Sequence, residues 1–185
     1  MPVVWSKDVL IGTIGYHNLS NHSIGPILFE KIKNLPWASH VQVEEFNWGP
    51  IAIVQWFQAL EKTFDRLVIF TAISREMREI GELTIFKWGG ETPSPHEIQA
   101  RIGDAVTGVI SPENLLIIGE HFNIWPEEVY LFDIEPGPEK AGPDLTIEVA
   151  ENVVDYLDIL HKVCLHGEQS EENFPTLYGY QMPIS

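Results

Sequence analysis

Basic side chains are scarce in this chain. Eleven lysines and arginines stand against 27 aspartates and glutamates, a formal net charge of −16 over 185 residues. Phosphate backbones and anionic membrane surfaces are held through clustered lysine and arginine, so the composition argues against nucleic acid and membrane as partners. The acidic surplus reads as a well-solvated surface. Cysteine is nearly missing: Cys164 stands alone, so no intrachain disulfide can form, which fits a reducing compartment. Its position in the apolar register of a C-terminal helix reads as core rather than as a nucleophile. No apolar run approaches membrane-spanning length. The first residues lack the basic, apolar and small-residue succession of a secretory signal. The expectation is a cytoplasmic protein.

What is present is a hydrophobic content of 44%, the level of a globular domain. Short apolar segments at residues 8–14, 41–46, 66–72, 83–88 and 128–134 read as strands. Val9-Leu10-Ile11 and Val68-Ile69-Phe70 are continuous rather than alternating, which suits strands buried on both faces of a parallel sheet. Helical periodicity lies between them, at 24–34, 50–63, 95–105, 112–122 and 146–163. The start at Ser111-Pro112-Glu113 combines an N-cap serine, a first-turn proline and an acidic residue. Strands alternating with helices predict a three-layer α/β sandwich, a mostly parallel twisted sheet of about five strands with helices on both faces. Segment 83–88 pairs antiparallel at an edge or forms a flap. The domain expectation is one unit over 1–166, then a tail over 167–185 that is flexible or laid on the surface. The apolar stretch 105–110 reads as a lid or a buried connection.

The segment with most chemistry follows the first strand: Gly15, then Tyr16-His17-Asn18-Leu19-Ser20-Asn21-His22-Ser23-Ile24-Gly25, then a helix. Ligand sites of open α/β folds lie at such carboxyl ends of strands. Familiar signatures are absent. Gly12-x-x-Gly15 is an incomplete dinucleotide fingerprint, and neither His-Glu-x-x-His nor Cys-x-x-Cys occurs. Without a Gly-x-Ser-x-Gly elbow, Ser20 and Ser23 beside His22 do not make a serine hydrolase.

The strand–turn–helix resembles the opening motif of the hydrogenase maturation proteases, Gly-x-Gly-Asn followed by Asp-(Asp/Glu)-(Gly/Ala)-(Ile/Val)-Gly. Gly15, Ile24 and Gly25 match. Thr13 and Tyr16 stand where the first glycine and the Asn would be, and Asn21-His22 replaces the acidic pair. Residues 67–73 resemble the family's aliphatic strand ending Asp-Ala-(Ile/Val), with Thr71 in place of that Asp. Residues 126–136 resemble its Pro-x-x-Val-x-Leu-x-Gly-(Ile/Val)-x-Pro strand, and 145–160 its closing helix. The resemblance spans about residues 8–162.

It implies a cytoplasmic endopeptidase that trims the C-terminal extension of a nickel–iron hydrogenase large-subunit precursor. It also implies a metal position made by His22, Thr71 and a third residue. The third is His96 by the local Ser94-Pro95-His96 pattern, or near Gly108 by alignment back from Asn114. The metal is nickel borne by the substrate, or zinc; no intrinsic cofactor is expected. The implied substrate contacts are Gly15, Asn21, Glu45 and the loop residues Asn47, Trp48 and Gly49. No catalytic residue is assigned. Thr71, a neutral hydroxyl, is a weak ligand, and the lost carboxylates leave a second reading open. In it the chain is a non-catalytic relative that binds a protein tail or small ligand at the same strand ends.

Overall fold

The computed structural model describes residues 7–106, 111–167 and 173–182. Its elements are β1 (Val9–Thr13), α1 (Ile24–Lys33), β2 (Val41–Glu45), α2 (Pro50–Ala59), β3 (Arg66–Ala72), β4 (Leu83–Trp88), α3 (Pro95–Val106), α4 (Pro112–His121), β5 (Glu128–Ile134), α5 (Ile147–Ala150), α6 (Val153–His166) and β6 (Thr176–Leu177). The strands form one sheet in the order β2-β1-β3-β5-β4-β6. β2, β1, β3 and β5 run parallel, and β4 lies antiparallel to β5.

The continuous apolar strands have the environment their pattern predicts. Val9, Ile11, Val68, Phe70, Tyr130 and Phe132 face α1, α5 and α6. Leu10, Leu67, Ile69, Val129 and Leu131 face the other way, against α2, α3 and α4. Both faces are thus covered, as α/β layering requires. Cys164 is buried in the first of these cores, and burial pushes its thiol up from the ordinary cysteine range. No helix among the described residues is long and apolar enough to cross a membrane.

Three details differ from the periodicity. The helix expected over 146–163 is broken at Glu151-Asn152, where the Asn152 side chain bonds back to the Glu148 carbonyl at 2.7 Å and α6 starts afresh. Asn competes with the helical backbone for such bonds. α2 stops at Ala59 because Leu60 turns extended (ψ 132°) and packs into the second core. The sheet gains a sixth strand from the chain terminus, β6 beside the end of β4. Arg101, buried on α3, ties that terminal segment down by donating to the Met182 carbonyl at 2.8 Å and to Asn114 Oδ1 at 2.6 Å. Of the apolar stretch 105–110, residues 107–110 lie outside the described residues, and with them the alternative ligand position at Gly108.

Candidate functional site

The chain passes from β1 to β2 on one side of β1, then crosses to β3 on the other. That reversal makes the carboxyl ends of β1 and β3 the topological switch point of the sheet, the place where open α/β sheets hold ligands. The turn after β1 and the loop after β3 border it.

Ser20, Asn21 and Ser23 of the β1 turn are spent on structure. Asn21 Nδ2 donates to the Pro136 carbonyl (2.9 Å) and to Thr146 Oγ1 (3.0 Å), while its Oδ1 accepts the Thr146 N–H (2.9 Å). Ser20 Oγ donates to the Asp144 carbonyl and Ser23 Oγ accepts the Leu19 N–H. These bonds lace the turn to the loop between β5 and α5. Asn21, expected as a substrate contact, is therefore a clamp, because its amide has found internal partners for both donor and acceptor. Gly15 is a packing glycine: a Cβ there would stand 2.7 Å from Pro26 Cδ and 2.9 Å from the His22 carbonyl oxygen.

His22 sits in a single 3-10 turn, Ser20–Ser23, with 9% of its surface exposed. Its Nδ1 is buried without a hydrogen-bond partner among the described residues. Burial holds its pKa below the ordinary histidine value, against the opposing pull of Glu139 and Glu135. The fold thus favours neutral His22. That contribution is complete above about pH 6.5, the unfolded value, and is lost as pH falls through the depressed folded value. In urea titrations, His22→Gln is expected to flatten the decline of stability below about pH 6.5. An unchanged decline would assign it to another group.

At the end of β3, Thr71 is buried and pairs in register with Asp133 of β5. Asp133 stands where the resembling strand pattern has glycine. Its carboxylate, 0% exposed, accepts from the Ile73 N–H (3.1 Å), Arg75 Nε (2.6 Å) and Arg78 Nη2 (3.2 Å). Arg75 continues to Glu113 at the start of α4, Nη2 to Oε1 3.0 Å, and lies over the Phe86 ring at 4.8 Å. Arg78 reaches Glu135 at 3.2 Å, the Ile73 carbonyl at 2.6 Å and Thr84 Oγ1 at 3.2 Å. Glu135 also accepts the Arg75 N–H at 2.7 Å. Burial pushes the Asp133 carboxyl up, and the two guanidiniums pull it back.

None of these five charged residues belongs to the ligand set expected from sequence. A signal existed: an aspartate inside the buried run Val129-Tyr130-Leu131-Phe132-Asp133-Ile134 demands a partner. The Arg-x-x-Arg spacing of Arg75 and Arg78 follows the neighbouring strand.

Of the expected trio, His22 lies before α1, Thr71 stands at the end of β3 and His96 at the start of α3. His96 is exposed in the first turn of α3, which packs on α2 and α4, across the sheet from α1. Thr71 has no charge to give, and the carboxylate beside it is committed to two guanidiniums. Among the described residues no three His, Cys, Asp or Glu side chains converge to hold an ion. The donor set does not fit a resident divalent cation.

The loop after β2 forms the other flank. Asn47 Oδ1 accepts the Gly15 N–H at 3.2 Å, joining this loop to the β1 turn, and its Nδ2 is buried without a partner among the described residues. Glu45 ends β2, half-buried, opposite Thr13. Gly49 caps α2, and a Cβ there would meet nothing within 4 Å. Trp48, 37% exposed, stands edge-on to Trp56 at 5.8 Å, at the end of an aromatic chain through Phe57 to Trp125. An amphipathic ring held this way beside the strand ends is suited to grip an extended peptide.

The fold is similar to that of solved hydrogenase maturation endopeptidases. The particular structures are similar over nearly their whole length. The hydrogenase maturating endopeptidase HybD of E. coli matches with a TM-score of 0.59 at 18% identity, over 84% of this chain and 91% of that one. The endopeptidase HycI of Escherichia coli matches at 0.57 and 21%, over 95% and 99%. The nickel–iron hydrogenase maturation protease HybD of Thermococcus kodakarensis matches at 0.56 and 19%, over 84% and 98%. At these identities the likeness is one of fold. No family model and no curated protein matches the chain.

Proposed function

We propose that this chain is a hydrogenase-maturation-protease-like protein of the cytoplasm that acts on the C-terminal tail of a nickel–iron hydrogenase large-subunit precursor. The observation that carries the reading is the switch point at the carboxyl ends of β1 and β3. It is bordered by the Gly15–Gly25 turn, to which Asn47 ties the Trp48 loop, in a fold similar to that of a maturation endopeptidase. In this reading the tail lies across the strand ends with an apolar side chain against Trp48 and Trp56. Any nickel involved is carried by the substrate.

The test combines two measurements on one mixture of purified chain and precursor. Photo-crosslinking locates the tail, and intact-mass spectrometry follows loss of the extension. Crosslinks are expected at Gly15–Gly25 and Phe46–Pro50, and crosslinks found only elsewhere would refute the site. Trp48→Ala is expected to weaken tail binding about tenfold, the effect of losing a central aromatic contact, with little change in the melting temperature.

The second reading is binding without cleavage. The same mixture separates the two: crosslinks with no loss of mass support it.

A further inference from the structure

A carboxylate missing from one strand stands on the next. Thr71 takes the place of the family pattern's aspartate, and its register partner Asp133 takes the place of that pattern's glycine. Register partners of neighbouring parallel strands lie about 4.8 Å apart and point to the same face. The acid of this chain therefore stands one strand over from the position of the pattern's aspartate, still at the strand ends. Its partner here is arginine. Arg75 places Nε 2.6 Å from Asp133 Oδ2 and Nη2 3.0 Å from Glu113 Oε1, so one guanidinium spans two carboxylates from β5 and α4. A shared cation between two acids is the task a divalent ion performs in a carboxylate site. Arg78 adds a second positive charge on the same Asp133.

We infer that the Arg75 guanidinium, bridging Asp133 and Glu113, is a tethered replacement for a divalent cation, so that this strand end takes neither nickel nor zinc and receives its tail independently of metal. An incoming ion has to displace the Arg75 Nε–Asp133 hydrogen bond and the ion pair to Glu113, contacts that no longer cost the entropy of capture because the cation is covalently part of the chain. The Asp133 carboxylate it would need is already held by Arg78 as well as Arg75, so both arginines have to give way. On the β1 turn, His22 feels Glu139 and also Glu135, an acid of this cluster.

The inference rests on the strand ends being the functional site, and its test reads metal on the isolated full-length chain, apart from any hydrogenase. Nickel and zinc are each titrated by calorimetry and by thermal melting. The wild-type chain is expected to bind neither more tightly than about millimolar, corresponding to a weak surface-histidine contact. In Arg75→Ala, and in Arg75→Gln, which keeps more of the side-chain volume, the two carboxylates are released to each other. Both variants are expected to bind at least tenfold more tightly than wild type and to regain melting temperature when metal is added. The gain is expected to vanish on adding Glu113→Gln.

Micromolar binding by wild type that is abolished in His22→Ala would overturn the inference, and so would folded Arg75 variants that gain no affinity. Where neither variant folds, the wild-type titration alone decides. A final arm compares tail binding with and without a chelator: equal affinity agrees with metal independence, and loss on chelation contradicts it. Failure of the tail to bind under any condition overturns the proposed function and leaves the metal titrations to judge Arg75.

Discussion

Arg78→Ala is expected to lower the unfolding free energy by about 3–5 kcal/mol, the cost of removing one partner of a buried ion pair. For a chain of this length that is a fall in melting temperature of roughly 10 °C, read by thermal or urea unfolding. The side chain of Arg78 is 8% exposed and bonds Asp133, Glu135, Thr84 and two backbone carbonyls. Its loss leaves Asp133, fully buried, with Arg75 as its remaining cation among these partners, and strips the Ile73 carbonyl of a donor. Desolvation of the abandoned charge makes the effect large, rather than the attraction lost. The contrast is Lys62→Ala. Lys62 pairs with Asp8 at 2.8 Å, but both side chains are over two-fifths exposed. Water and salt screen that pair, and its removal is expected to change stability by less than about 1 kcal/mol. Equal effects at the two positions would show that the buried cluster carries no special weight.

The same contrast explains what was legible in the sequence. The fold was, because continuous apolar strands, capped helices and the Gly15–Gly25 frame are local patterns. The helix that starts at Ser111-Pro112-Glu113 forms as its caps predict, with Ser111 Oγ accepting the Asn114 N–H. The site was legible only in outline. Its position after β1 follows from strand order, but its contents depend on pairs far apart in the chain, such as Asp133 with Arg75 and Asn21 with Thr146. His22 and Thr71 were read as ligands because they occupy ligand positions of a known pattern. Thr71 is the register neighbour of a carboxylate that the pattern lacks, and no periodicity announces that placement. β6 escaped notice for a related reason. Two residues are too few for alternation to register, and their pairing partner lies about ninety positions earlier.

Gly25→Ala is expected to destabilise the chain by about 3 kcal/mol, the upper part of the range for forcing an extra carbon into a packed interior. Gly25 is in the first turn of α1, where it lies against the end of β1. A Cβ there would stand 2.3 Å from the Ile14 carbonyl oxygen and 2.6 Å from its carbon. Both are backbone atoms, so no side chain can turn aside; α1 has to move off the sheet. That movement reaches the switch point, because the 3-10 turn holding Asn21 and His22 leads directly into α1. The variant is therefore expected to weaken tail binding as well as stability, and to expose His22 to titration nearer its ordinary pKa by NMR. Alanine is otherwise the better helix former by about 1 kcal/mol, so the steric term has to outweigh a gain. Gly103→Ala measures that gain alone. Gly103 lies in α3 with nothing within 4 Å of its would-be Cβ, and the change is expected to stabilise by about 0.5–1 kcal/mol. Opposite signs at two helical glycines would tie Gly25 to the close approach of α1 and β1, and a stabilising Gly25→Ala would remove that explanation for its place in the frame.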